Sequence, residues 1–246
     1  MQTDAATPQV AFRQNHLLAS LPEEELQTLL AESRLDHLPV GKVLFEPNEV
    51  VQRVYFPVSG VISMVTTMMD GSVIELATIG REGICGMPMT VGPGGVAHVR
   101  TMSQVVGDSI SIRAEIFRQE LRKGGRLASV ADQYAQALFM LTGQNAACNR
   151  LHTIDQRCAR WLLMTHDRVG ADQFGLTQEF LSQMLGSRRV SVTLAASSLQ
   201  ELGAITYQRG LITVVDRSKL EDRSCECYDV ITNVFKGLYQ TQEASS

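Results

Sequence analysis

The chain has 246 residues, of which 44% are apolar and 20% charged, and its formal net charge is −4. That is room for one large domain or two modest ones with an ordinary hydrophobic core. The acidic balance excludes a general pull toward nucleic acid or anionic membrane, so any DNA contact must come from a local basic feature.

Residues 1–14 read as a lead-in without the basic-then-apolar pattern of a signal segment. No apolar run approaches the roughly 20 residues of a membrane span. Cys85, Cys148, Cys158, Cys225 and Cys227 are an odd, scattered set. With no signal segment, they point to reduced thiols in a cytoplasm.

LLASLPEEELQTLLAES predicts a short helix and then a second one, opened by Pro22 with Glu23, Glu24 and Glu25 in its first turn. From about Leu38 short β-rich runs follow: VGKVLF, VVQRVYFPV, GVISMVTTM, SVIELATI, VAHVRTM and SISI. Pro47-Asn48, Ser59-Gly60, Asp70-Gly71 and Gly107-Asp108 punctuate them, a spacing that indicates an antiparallel barrel or sandwich. The predicted domains are residues 15–125, a long helix over 126–151, and a second domain over 152–246.

In the long helix Leu127, Tyr134, Leu141 and Cys148 stand seven apart. Val130, Ala137, Gln144 and Leu151 lie three residues after each. This is a four-heptad seam, expected to pair with a second copy of the chain. The alternative is a helix buried wholly within its own domain. Thr153 is a candidate cap for the next helix and Gly170 its end.

LTQEFLSQMLGSRRVSVTLAASSLQELG (176–203) reads as two helices joined at Leu185-Gly186-Ser187. Thr177 is a candidate N-cap of the first and Ser187 of the second. At about 100° per residue, Val192, Ala195, Ala196, Leu199 and Leu202 fall on a core side. Arg189, Val190, Thr193, Leu194 and Ser197 point the other way, with Arg188 and Ser191 at the flank. Such a short, small, hydrogen-bonding face with an arginine at its tip suits the major groove. Arginine takes guanine O6 and N7 in two bonds, and small apolar groups meet thymine methyls. Residues 176–215 hold three arginines and two glutamates. That surplus is thin for duplex binding, so doubling by a dimer would help. The following hairpin AITYQ–RG–LITVV puts Arg209 at its tip, placed for a phosphate. The bland reading is a helical hairpin with an arginine-tipped surface.

The order of VYFPVSGVIS (54–63), Asp70-Gly71, IGREGICG (79–86), the heptad helix and LTQEFLSQMLGSRRVSVTLAASSLQELGAI (176–205) resembles the Crp/Fnr superfamily of bacterial transcription regulators. The resemblance covers about residues 15–220. It implies an α+β fold: an N-terminal β-roll of jelly-roll type, a dimerisation helix, and a C-terminal winged helix-turn-helix domain. It implies a homodimer on double-stranded DNA at a pseudo-palindromic site, with RNA polymerase as a possible further partner. Arg189 falls where the family places its guanine-reading arginine. Val190 stands where many members carry a glutamate, and Leu194 where some carry a second arginine. Members that bind cyclic nucleotides use a Gly-Glu pair followed by an Arg-Ser/Thr pair. Here Gly86 is followed by Met87, Ala97-His98 occupy the second place, and Arg100 is displaced. A buried phosphate there would be poorly compensated, so the effector pocket around Gly86, Met87, Ala97, His98 and Arg100 is expected to take something other than cyclic AMP.

With Cys85 as the first cysteine, an N-terminal iron–sulfur cluster is not expected, and His16, His37 and His98 read as surface or packing residues. Cys225-Glu226-Cys227 supplies two metal ligands with no histidine near in sequence, so no metal or cofactor is expected. ICGMPMTVGPGG (84–95) is either a loop or the lining of an apolar pocket. No phosphate-binding loop, GxSxG elbow or HExxH motif marks an enzyme. The rival to a DNA-binding regulator is a ligand-binding signalling module whose helix pair docks a protein.

Overall fold

The computed structural model describes residues 11–87 and 95–239. Most of the lead-in (1–10) and of the glycine-rich segment (88–94) lies outside the described residues. Helix α1 (His16–Ala19) starts at Asn15, whose Oδ1 accepts from Leu18 N at 3.1 Å. The buried Asn15 amide donates to Pro57 O at 3.0 Å and Gly83 O at 2.9 Å, which ties the helix to the sheets. Helix α2 (Glu23–Ala31) follows Pro22, with its three glutamates at the positive end.

Two antiparallel sheets form the N-terminal sandwich. One has the order β1-β7-β3, from Ser33–Leu38, Gly107–Arg113 and Arg53–Pro57. The other has the order β2-β6-β4-β5, from Val43–Phe45, Arg100–Val105, Val61–Thr67 and Val73–Ile79. Val54, Phe56, Ile110 and Ile112 of the first share one core with Val61, Val65 and Ala77 of the second. Strand β1 was not anticipated. SRLDHL has little apolar alternation, and its register with β7 supplies the partner that its own pattern does not advertise.

Helix α3 (Ala114–Arg122) leads to α4 (Arg126–Leu151). No side chain of its own caps α4. Glu25 of α2 accepts instead from Arg126 N at 2.8 Å and Leu127 N at 2.7 Å, a carboxylate at the positive helix end. Helix α5 (Ile154–Val169) begins with a capping box between Thr153 and Gln156 and ends at Gly170, φ +67°.

The expected partner seam of α4 is corrected here. Leu127, Val130, Tyr134, Ala137, Leu141 and Cys148 are all buried within the chain's own core, and Gln144 is half-buried. Of two C-terminal helices, α8 (Arg217–Arg223) and α9 (Cys227–Lys236), the second packs on α4. The heptad stripe is therefore spent internally. The open side of α4 carries Gln136, Phe139, Met140, Gly143, Ala146, Ala147 and Arg150, with Phe139 at 78% exposure. Leu151, which closes the second heptad row, is also exposed.

A buried polar hub joins the sandwich to α5. Glu75 on β5 accepts from Trp161 Nε1 at 3.0 Å and from Ser63 Oγ at 2.8 Å. Ser63 also bonds Gln104, whose amide reaches Thr165 Oγ1 at 3.4 Å. Asn145 of α4 donates to Leu76 O and accepts from Arg160, both at 2.8 Å. Arg168 pairs with Glu82 at 2.8 Å. Burial pushes the Glu75 carboxyl from 4.5 up to about 7, against the opposing effects of Ser63, Trp161, Arg160 and Arg168.

The folded chain thus holds a proton that the unfolded chain releases. This stabilisation is fully present below the unfolded value and is lost as pH rises through about 7. Urea melts at pH 5 and pH 8 check it. The wild type should lose about 3 kcal/mol relative to Glu75→Gln over that interval, at 1.36 kcal/mol per unit. Parallel pH profiles of the two proteins would contradict it.

Candidate nucleic-acid interface

The C-terminal unit is built on α5. Strand β8 (Gln173–Gly175) pairs with β10 (Leu211–Val214), which pairs with β9 (Ile205–Gln208). Helix α6 (Gln178–Met184) starts at Thr177, whose hydroxyl accepts from Phe180 N at 3.1 Å. Leu181, Met184 and Leu185 are buried, and Phe180 is half-buried. Gly186 turns the chain at φ +54°. A side chain there would come within 2.7 Å of Ile74 on β5, so glycine permits both the turn and the close approach to the sandwich.

Helix α7 (Arg189–Glu201) begins one residue later than expected. Its N-cap is Arg188, without a side-chain hydrogen bond, while Ser187 Oγ bonds Leu185 O at 3.2 Å. The Ser187 cap is therefore corrected: the residue is spent closing the preceding turn. Val192, Ala195, Ala196 and Leu199 are buried, and α7 packs on α5. Leu202 leaves that set because it is the C-cap and is 45% exposed.

The other side of α7 is open. Arg188, Arg189, Val190 and Leu194 are exposed, with Val190 at 72% and Leu194 at 66%; Ser191, Thr193 and Ser197 are half-buried beside them. Thr193 Oγ1 donates within the protein to Gln178 Oε1 or Arg189 O, both at 2.9 Å. Arg189 lies 3.7 Å from Glu179, with both side chains mostly exposed. Such a pair is weak and exchanges readily for a base edge or phosphate. Arg209 and Gly210 form the hairpin tip at φ +52° and +77°, the two positive values of a tight primed turn. Thr177, Gln178, Arg189, Tyr207, Arg209 and Gly210 line a depression of about 360 Å³ between α6, α7 and the hairpin. Gln178 and Tyr207 were not anticipated. Tyr207 OH donates to Leu176 O at 2.9 Å, a contact across 31 residues that no local pattern announces.

The residues expected around an effector do not converge. Met87 lines a cavity of about 340 Å³ with Arg118, Arg122, Ala128, Ala131 and Asp132. Ala97 is buried beside Phe45 and Val51 in a separate core cluster, where the ring of Phe45 also faces Gly86, φ +96°. His98 is exposed, and Arg100 pairs with Glu46 at 3.3 Å. The expected five-residue pocket is therefore corrected: Met87 faces α3 and α4, while His98 is exposed and the half-buried Arg100 is turned to Glu46.

Comparison with known proteins agrees with this architecture. Residues 35–123 match the cyclic nucleotide-binding domain model, and residues 156–223 match that of the Crp-like helix-turn-helix domain. No curated protein sequence matches the chain. A crystal structure of a putative Crp/Fnr transcriptional regulator from Eubacterium rectale superposes with TM-score 0.66 at 20% identity, over 84% of this chain and 96% of that one. FixK2 from Bradyrhizobium japonicum gives 0.66 at 15% identity, over 78% and 98%. The c-di-GMP responsive regulator CLP from Xanthomonas campestris gives 0.64 at 16% identity, over 78% and 99%. Among the described residues no helix is long and apolar enough to cross a membrane. With both domain models in order along the chain and the shared fold, the protein belongs to the Crp/Fnr family of transcription regulators and carries a helix-turn-helix DNA-binding domain.

Proposed function

We propose that the protein acts in the cytoplasm as a homodimer on an inverted-repeat DNA site. The observation that carries this is the open side of α7, where an arginine tip is followed by small apolar and hydroxyl groups on a helix whose other side is fully packed. Arg189, Val190, Thr193, Leu194 and Ser197 read base edges. Arg188, Ser191, Thr177 and Arg209 hold phosphates. Two copies of α7 enter successive major grooves about 34 Å apart.

The dimer forms through the open side of α4. Phe139 and Met140 supply apolar area, while Gly143, Ala146 and Ala147 let the two helices approach closely. The effector is not cyclic AMP, because Met87 gives a ribose hydroxyl no carboxylate, and Ala97-His98 give a cyclic phosphate neither arginine nor hydroxyl. It need only bind one arrangement of the two DNA-binding domains better than the other.

Selection from a random duplex pool tests the reading face. The wild type should enrich an inverted repeat, and added cyclic AMP should leave that enrichment unchanged. Arg189→Ala should lose preference at one guanine per half-site, about 1–3 kcal/mol per contact. Unchanged selectivity in the variant would mean that another face reads the bases. A gain on adding cyclic AMP would overturn the effector reading, and no enrichment at low salt would favour a protein-docking module. The dimer face has its own check in light scattering. Wild type should have the mass of two chains and Phe139→Glu that of one; a variant that stays dimeric would place the interface elsewhere.

A further inference from the structure

Cys148, His152, Cys225 and Cys227 meet where α4 ends and α9 begins. Cys148 Sγ lies 3.5 Å from Cys225 Sγ, and Cys227 Sγ lies 3.6 Å from His152 Nδ1. The four ligand atoms all fall within 4.8 Å of one another. The three sulfurs are buried, form a cluster separate from the main cores, and are free thiols. Two sulfurs on one tetrahedral zinc stand about 3.8 Å apart, and sulfur and imidazole nitrogen about 3.6 Å, given Zn–S of about 2.3 Å and Zn–N of about 2.0–2.1 Å.

The surroundings fit a metal centre as well as the four atoms do. His152 Nε2 faces the Glu226 carboxylate at 3.1 Å, so it carries the ring proton and leaves the Nδ1 lone pair toward the sulfurs. Gln144 Nε2 donates to Cys227 Sγ at 3.0 Å. Three thiolates, one neutral imidazole and a divalent zinc sum to one negative charge. The buried guanidiniums of Arg157 and Arg160 interact electrostatically with Cys148 and more than offset that charge.

We propose that Cys148, His152, Cys225 and Cys227 form a tetrahedral site for Zn2+ that clamps α9 to the end of α4, where the chain passes into the DNA-binding domain. Binding releases the three thiol protons to solvent and leaves the imidazole neutral. The site does not depend on how α7 reads DNA. It also revises the expectation that Cys225-Glu226-Cys227 holds no metal. That view counted only ligands near in sequence, whereas the other two arrive from 77 and 75 residues away.

Full-length protein purified under reducing conditions without chelator should hold one zinc per chain by elemental analysis. After exchange to Co2+ it should show the intense thiolate-to-cobalt absorption and visible bands of a tetrahedral centre. His152→Ala and the double variant Cys225→Ser with Cys227→Ser should lose that metal, while Cys85→Ala, in the sandwich, should keep it. Glu226→Gln should retain zinc with an affinity lower by about 10–100-fold. Should the ligand variants not fold, stripping zinc from the wild type must lower its thermal midpoint, and returning zinc must restore it. Wild type without zinc and without a tetrahedral Co2+ spectrum would overturn the proposal. So would zinc retained in both ligand variants, a Cys148–Cys225 disulfide in its place, or iron with labile sulfide.

Discussion

A carboxyl group buried on β5 is the constraint on which the arrangement of the chain depends. Glu75 can stay out of water only if donors meet it, and Trp161 of α5 and Ser63 of β4 supply them. Asn145, held between Leu76 O and Arg160, fastens α4 to the same two elements. Apolar packing alone would let α5 slide on the sandwich. Directional bonds from Trp161 and Arg160 fix its position, and α7 is packed on α5. The placement of the proposed reading helix thus traces back to polar groups far from it.

The same economy explains what remains open. Helix α4 has apolar residues around much of its circumference, and the sandwich and α9 cover the heptad side. Phe139 and Met140 are left exposed on a side otherwise carrying glutamine, glycine, alanine and, at its end, Arg150. On α7 the buried alanines bring the helix close to its support, and the residues that cannot be buried there face outward. Weak exposed pairing of Arg189 with Glu179 keeps the arginine oriented without holding it tightly.

Much of this was legible in the sequence where one local pattern decides one local structure. Strands β2 to β5 and β7, the helix pair, the Thr177 and Thr153 caps and the Arg209-Gly210 turn follow from period, caps and turn residues, while β6 starts four residues after the run expected for it. Strand β1 was not, because SRLDHL is set by its neighbour β7 rather than by its own alternation. The heptad count on α4 found a real apolar stripe but could not say what covers it, since the same spacing serves a partner helix or the chain's own core. Residues brought together by the fold were the least legible. Gln178 and Tyr207 reach α7 and the β8 edge from elsewhere, and Cys148 and His152 meet Cys225 and Cys227 across most of the C-terminal unit.

On the proposed dimer, one face of α7 is presented twice, one helical turn of DNA apart. Hydroxyl-radical footprinting of a bound duplex measures this directly. Two protected windows on the same side of the DNA, related by approximate twofold symmetry and separated by one turn, are the predicted result. A single unpaired window, or even protection with no register, would contradict it.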